Sequence, residues 1–209
     1  MNTQDEGAVV GAILRACKNP VILDLGAYGG EDTAWLIGAC SVPPTVVAVE
    51  ADPDNFARLQ AAKLPASLVH GAIANHVGTC TFYKCYTGLG VGSGSIRQPT
   101  GHLDRGGTKY DFRPMTVSCF TLDHLFDLHG LDHVDLLWCD IQAAERDMIA
   151  GGQKTLARTR YLFIEAEDDA TPEMYAGQLN RTALLNLLPG WTEVQRFDFN
   201  TLLRNDRNE

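Results

Sequence analysis

The stretch that most constrains this chain runs from Val21 to Thr33. Five residues of strand character, Val21 to Leu25, pass directly into Gly26, Gly29 and Gly30, and an apolar stretch of helical length, Ala34 to Cys40, follows. A strand, a tight turn and a helix start in that order form the geometry with which an open α/β sheet receives a nucleotide-like ligand at its carboxyl edge. Glycine suits the turn because a Cβ would block the ligand and because such turns call for positive φ.

The spacing is Asp-x-Gly-x-x-Gly-Gly, with Asp24 ahead of the first glycine, and differs from the Gly-x-Gly-x-x-Gly of dinucleotide enzymes. A carboxylate there repels a pyrophosphate, which disfavours a nicotinamide dehydrogenase. It tolerates an ammonium or hydroxyl group, such as the amino-acid end of S-adenosylmethionine. Glu50 closes a second buried strand, Thr45 to Val49, about 20 residues further on, where an acid accepts hydrogen bonds from the two ribose hydroxyls of an adenosine. Together the two acids select a cationic or neutral adenosyl ligand over a phosphorylated one.

With 209 residues the chain is long enough for one domain with a full core and too short for two ordinary ones. No apolar run approaches the roughly 20 residues of a membrane span, so no membrane partner is expected. The acidic start, Met-Asn-Thr-Gln-Asp-Glu, lacks the basic and apolar regions of a signal peptide, and a cytoplasmic protein is the simplest reading. A formal charge of −9 with scattered Lys and Arg argues against a long nucleic-acid partner. The six cysteines include no Cys-x-x-Cys pair and read as reduced, structural thiols. Homo-oligomerisation is left open.

Periodicity predicts a helix over residues 2–18, stopped by Asn19-Pro20, and a helix from Asp52-Pro53 to Lys63 with Asp52 as its cap. Further strands are expected at 67–72, 79–86, 115–120, 134–139 and 161–164, the 79–86 segment as an exposed edge. A helix is expected over 182–188, and 191–199 alternates as a late antiparallel hairpin strand. Residues 87–113 carry seven glycines and little apolar content, which suits a mobile loop or lid beside the site, or an ordered surface insertion without a role.

Five blocks, VILDLGAYGG, VVAVEADPDNFARL, VSCFTLDHL, VDLLWCDIQAAERDMIAGG and YLFIEAE, follow in an order that resembles the FkbM-type methyltransferases, a branch of the S-adenosylmethionine-dependent enzymes. The likeness covers roughly residues 20 to 167. It implies an α/β fold with a doubly wound, Rossmann-like, seven-stranded sheet and methyl transfer to oxygen, commonly a hydroxyl of a sugar or polyketide-like molecule. It carries the cofactor turn onto Asp24, Gly26 and Gly29 and the ribose acid onto Glu50, so the expected cofactor-binding set is Asp24, Gly26, Ala27, Tyr28, Gly29, Glu50, Ala51 and Asp140. The family's Asp-x-x-Gly-x-Glu block falls on Asp140 and Glu145. Here Trp138 stands where the family usually has lysine, and Ala143 where it has glycine, which suggests a different acceptor pocket.

Transfer to an alcohol needs alignment of donor and acceptor and removal of a proton. Asp140, at the carboxyl end of the strand 134–139, is the best-placed base, and Glu165 ends the neighbouring strand. The two could share a divalent cation that acidifies the hydroxyl. Glu145 is read either as reaching the site or as capping its helix or pairing with Arg146 or Arg181. His76 could touch the adenine or act as a base, although a solvated loop histidine is the plainer reading. His124, His129 and His133 fit a solvated face, and Trp35 and Trp138 fit the core. Two other readings stay open: a degenerate methyltransferase fold that only binds, and transfer to nitrogen, which the missing Asn/Asp-Pro-Pro-Tyr/Phe block disfavours.

Overall fold

The computed structural model of the protein describes residues 4–87, 91–101, 104–105 and 108–207. Helix α1 (Gln4–Ala16) precedes β1 (Val21–Leu25), and alternation continues through α2 (Glu31–Ala39), β2 (Thr45–Glu50), α3 (Pro53–Ala61) and β3 (Ser67–His70). An excursion follows through β4 (Ala72–Ile73), β5 (Gly78–Cys85), β6 (Asp104–Arg105), β7 (Thr108–Lys109) and β8 (Phe112–Phe120). The chain returns by α4 (Leu122–Leu128) to β9 (Val134–Cys139), α5 (Glu145–Ala150), α6 (Gln153–Leu156), β10 (Thr159–Glu165) and α7 (Arg181–Asn186). A hairpin of β11 (Trp191–Arg196) and β12 (Asn200–Asn205) ends it.

Seven strands form one sheet in the order β11-β12-β10-β9-β1-β2-β3, the architecture expected from the sequence. β1 is central and parallel to both β2 and β9, while β12 runs antiparallel to β10. The chain therefore winds away from β1 in one direction through β2 and β3 and in the other through β9 and β10. The crevice beyond the carboxyl ends of β1 and β9 is the point where strand order reverses, and such sheets bind ligands there.

Alternation along the strands explains the two layers. Leu23, Leu25, Val47, Val49 and Leu137 pack on one face with α4 residues Leu122, Leu125 and Phe126. Ile22, Val46, Leu136, Trp138 and Phe163 pack on the other with Val10, Leu14 and Leu36 of α1 and α2. Burial on both faces accounts for the apolar runs 46–49 of β2 and 136–139 of β9, as expected for parallel strands under helices. Asp24 shares the α2 face, which sets it among the structure's few fully buried carboxylates.

Several boundaries differ from the sequence expectations for physical reasons. The first helix spans Gln4–Ala16 within the expected 2–18, and residues 2–3 lie outside the described residues. The helix after the glycine turn starts at Glu31, capped by Gly30 in the left-handed region, three residues earlier than apolarity alone indicates. The strand predicted over 67–72 breaks at Gly71, where a Cβ would crowd the Phe120 ring and the Ser118 carbonyl. Beyond it β4 joins β8 and β5 in a separate three-stranded sheet, so the expected 79–86 edge strand belongs to that sheet, and β8 starts at Phe112 instead of Met115. The late strand proves to be a pair, β11 and β12. Asp52 caps α3 as expected, accepting from the Asp54 and Asn55 amides at 2.8 and 3.3 Å, with Pro53 following.

Candidate active site

The glycine turn is held to β2 by backbone bonds: the Gly26 and Ala27 amides both donate to the Val49 carbonyl at 2.9 Å. Gly26 takes φ +87°, and a Cβ there would overlap the carbonyl oxygen of Asp140, so the turn and the end of β9 touch backbone to backbone. Tyr28 also adopts positive φ (+50°), which aims its amide at Glu50 Oε2, 2.8 Å away. The second carboxylate oxygen of Glu50 accepts from the Asp52 amide at 2.7 Å. A carboxylate offers about four acceptor sites, so Glu50, which lines the cavity at this edge, is not saturated by these amides.

That cavity, of about 520 Å³, has a volume suited to a small-molecule ligand. Of the expected cofactor residues Gly26, Ala27, Tyr28, Glu50, Ala51 and Asp140 line it; Asp24 and Gly29 do not. Asp24 lies below the turn, 1% exposed, with Oδ2 accepting the Thr33 hydroxyl at 2.5 Å and Oδ1 buried without a partner. Apolar walls come from Ile73 and Phe82, and a strap of the glycine-rich segment, Gly92 with Gly94 to Ile96, completes the lining.

The cavity is electrostatically one-sided. Glu31, Asp32, Glu50, Asp52 and Asp140 line it, and among the described residues no lysine, arginine or histidine does. Burial pushes the Asp24 carboxyl up to about 7 and Glu50 likewise to about 7, against the hydrogen bonds they accept. Asp140 presents accessible surface at the cavity wall yet is hemmed in by protein, which raises its carboxyl, while the Gln142 amide lowers it. A phosphorylated ligand would meet like charge, whereas the orphaned Asp24 oxygen and the spare Glu50 lone pairs fit a ligand carrying an ammonium and hydroxyls.

The turn after β9 is the least expected part. Gln142 and Ala143 both take positive φ, +50° and +70°, so Ala143, in the position where a glycine was expected, carries left-handed strain. The Ala143 methyl is buried against Met174 and Tyr175. Gln142, which sequence reasoning passed over while weighing acids, donates to Asp140 Oδ1 at 2.6 Å and reaches Glu165 Oε2 at 3.5 Å. Glu145 accepts from the Ala143 amide at 3.2 Å and does not line the cavity, and burial raises it to about 7. Arg181, its possible partner, pairs with Glu193. Glu165 also stands outside the cavity lining.

The glycine-rich segment is tied down at several points. The Asn55 side chain donates to the Val91 carbonyl at 3.0 Å, Gly92 faces the Tyr28 ring, and Ser95 exchanges backbone bonds with Tyr83. Residues 88–90, 102–103 and 106–107 of the expected lid lie outside the described residues. Lys84, missed because it sits in an alternating strand, donates to Asp52 at 2.6 Å and Asp54 at 2.7 Å and ties the small sheet to α3.

The remaining candidates lie elsewhere. His76 contacts Asn75, the Thr79 carbonyl and Cys119 and is absent from the lining. His124 stacks on Phe120, and His133 faces Asp132 and Asp135. Trp138 stacks on Phe163 at 3.9 Å and lies near Trp35, in the core as expected. All six cysteines are free thiols. For a divalent cation the donor set fits poorly: among the described residues no group of three His, Cys, Asp or Glu side chains converges, and an amide donor bridges Asp140 and Glu165. Among the described residues no helix is long and apolar enough to cross a membrane.

Comparison with known proteins agrees with this geometry. The family model described as the methyltransferase FkbM domain matches residues 24–188. The chain is 35% identical over 202 residues to the 2-O-methyltransferase NoeI of Sinorhizobium fredii (strain NBRC 101917 / NGR234), covering 90% of this chain and 81% of that protein. Among solved structures, methyltransferase FkbM from Methylobacillus flagellatus KT superposes with a TM-score of 0.56 at 17% identity over 89% of this chain, which spans only 43% of that longer one. Cofactor-bound Rv0187 from MTB superposes with a TM-score of 0.52 at 16% identity, over 100% of this chain and 83% of its own. A match over most of the chain, its span including the glycine turn and the carboxyl ends of β2 and β9, means that the chain belongs to the FkbM methyltransferase family.

Proposed function

We propose that the protein transfers a methyl group from S-adenosylmethionine to a hydroxyl of a sugar or glycoside, with Asp140 as the base. The observation that carries the reading is the convergence of Glu50, Asp140 and the Gly26 turn on one acidic cavity, with the unpartnered Oδ1 of Asp24 buried beneath it. The likeness to a 2-O-methyltransferase supports oxygen as the accepting atom.

Bound S-adenosylmethionine supplies a methyl group made electrophilic by its sulfonium. Glu50 would accept from the ribose hydroxyls with the lone pairs that Tyr28 and Asp52 leave available. Asp24 would compensate the ammonium with its unpartnered oxygen. Asp140 would take the hydroxyl proton as the acceptor oxygen bonds to the methyl carbon and the carbon–sulfur electrons stay on sulfur. The strap over Gly92 to Ile96 would exclude water, so that the acceptor is the nucleophile that reacts. Glu145, tied to Ala143, holds the turn and takes no part in this scheme, and no metal is assigned.

Incubation with methyl-labelled S-adenosylmethionine and a panel of methyl glycosides tests the reading. Labelled glycoside from the wild type, and a drop of at least about 100-fold in kcat for Asp140→Asn, is the expected result. Labelling of none of the panel, or an undiminished Asp140→Asn variant, contradicts it.

A further inference from the structure

Three segments distant in sequence meet on one neutral side chain beside Asp140. Gln142 Nε2 donates to Asp140 Oδ1 at 2.6 Å and reaches Glu165 Oε2 at 3.5 Å. Its Oε1 lies 3.1 Å from the Tyr175 hydroxyl, which shares its one hydrogen with the Ser93 carbonyl at 2.7 Å. The Gln142 carbonyl accepts the Ser95 hydroxyl at 2.5 Å. The strap, the turn after β9 and the segment after β10 are thus all referred to this residue. Its left-handed backbone, repeated at Ala143, is the strained conformation that persists only where the surroundings over-determine it.

The polarity of the amide is fixed by its neighbours. Turned over, its oxygen would face the Asp140 and Glu165 carboxylates, which only accept; the Tyr175 hydroxyl can donate or accept, so the carboxylates decide the orientation that donates to Asp140. One oxygen of Asp140 is thereby held toward Gln142, and the carboxylate plane cannot rotate freely at the cavity wall.

We propose that Gln142 is a positioning residue of methyl transfer, whose amide, backed by the Tyr175 hydroxyl, holds one carboxylate oxygen of Asp140 so that the other is presented to the acceptor hydroxyl. This rests on the reading of Asp140 as the base. Gln142 acts on kcat, because alignment of the base matters as the proton moves, and leaves the adenosyl end to Glu50 on the other side of the cavity. Tyr175, 2% exposed and outside the cavity lining, acts one step further back through Oε1 of the Gln142 side chain.

Four variants, Gln142→Leu, Gln142→Glu, Tyr175→Phe and Asp140→Asn, are assayed against whichever methyl glycoside the wild type methylates, with S-adenosylhomocysteine affinity by calorimetry as a parallel readout. Gln142→Leu is expected to lower kcat about 10- to 100-fold while S-adenosylhomocysteine affinity stays within about threefold. Gln142→Glu, nearly the same shape, is expected to do no better, since it sets a third carboxylate against Asp140 and Glu165; a merely structural role would let the isosteric change rescue. Tyr175→Phe, which leaves the cavity intact, is expected to lower kcat by about three- to tenfold, and it carries the test should Gln142→Leu not fold. An Asp140→Asn enzyme with wild-type kcat overturns the base assignment and this inference with it. An inactive Asp140→Asn beside a folded Gln142→Leu, or a Tyr175→Phe standing in for it, with kcat within about twofold of wild type overturns the inference alone. So does rescue by Gln142→Glu.

Discussion

Gly26 and Asp140 meet backbone to backbone: the α-carbon of Gly26 lies so close to the Asp140 carbonyl that the methyl of an alanine would overlap its oxygen. The contact joins the end of β1 to the end of β9 at the point where strand order reverses, and it brings the glycine turn against Asp140, the proposed base. Gly26→Ala adds the cost of a left-handed alanine to that of a backbone clash, together about 3 kcal/mol or more. For a chain of this size that is a fall in Tm of roughly 6–12 °C. Thermal denaturation of the variant checks it; an unchanged Tm would mean that the turn and β9 are not apposed.

Ala143 sets two effects of similar size against each other. Its φ of +70° costs roughly 1–2 kcal/mol, which glycine would relieve, but its methyl is buried against Met174 and Tyr175 and glycine would lose that packing and gain unfolded-state entropy. Ala143→Gly is therefore expected to stay within about 1 kcal/mol of wild type. Ala143→Val keeps the strain, adds a β-branched clash and is expected to lose at least about 2 kcal/mol. Urea denaturation of the pair distinguishes the cases, and a well-tolerated valine would show that the left-handed turn is absent.

Most of the working edge was legible in the sequence because it is written in strand ends. A buried run that stops on Asp24 and glycine, another on Glu50 and a third on Asp140 need only the rule that parallel strands deliver their carboxyl ends to one side. Asp52-Pro53 was legible because capping is local. The small sheet of β4, β5 and β8 was not, since its decisive step is the break at Gly71, which rests on a tertiary contact with Phe120. The strap was legible only as a loop or lid beside the site, or an insertion without a role, because a glycine-rich stretch has no period to read; its path is set by Asn55, Tyr83 and Gln142, from three other segments. Gln142 itself was missed because an uncharged side chain gives no signal until the carboxylates on either side of it are placed.

Lys84 and Asp52 form a buried pair, with side-chain exposures of 7% and 4%. Removing the lysine strands a carboxylate that also caps α3, at a residue whose backbone amide donates to Glu50. Lys84→Met is expected to cost about 3–5 kcal/mol, and the double variant Lys84→Met/Asp52→Asn to recover at least about half, because asparagine still caps the helix and no charge is left unpaired. A double-mutant cycle by chemical denaturation measures the coupling; additive losses would contradict it.

The raised carboxyls also give stability a definite pH dependence. Asp24, Glu50 and Glu145 stand at about 7 in the folded protein, against about 4 when unfolded, so between those values the folded state holds more protons. Their contribution is fully present below the unfolded value and is lost as pH rises through the folded one. The ligand-free protein is thus expected to melt at a higher temperature near about pH 5.5 than near about pH 8. Affinity for S-adenosylmethionine should run the other way, rising toward about pH 7 as Asp24 and Glu50 ionise. Scanning calorimetry of the free protein across that range checks the first part, and a Tm that climbs with pH would contradict it.

Calorimetric titration of the wild type and of Glu50→Leu with S-adenosylhomocysteine reads whether the acidic cavity holds an adenosyl ligand. Saturable binding to the wild type, weakened by at least about 30-fold in a folded Glu50→Leu variant, is the predicted result, because the leucine removes both ribose acceptors and unties the Tyr28 and Asp52 amides. No binding to the wild type, or equal affinity for the two proteins, would contradict the assignment of this acidic cavity to an adenosyl ligand.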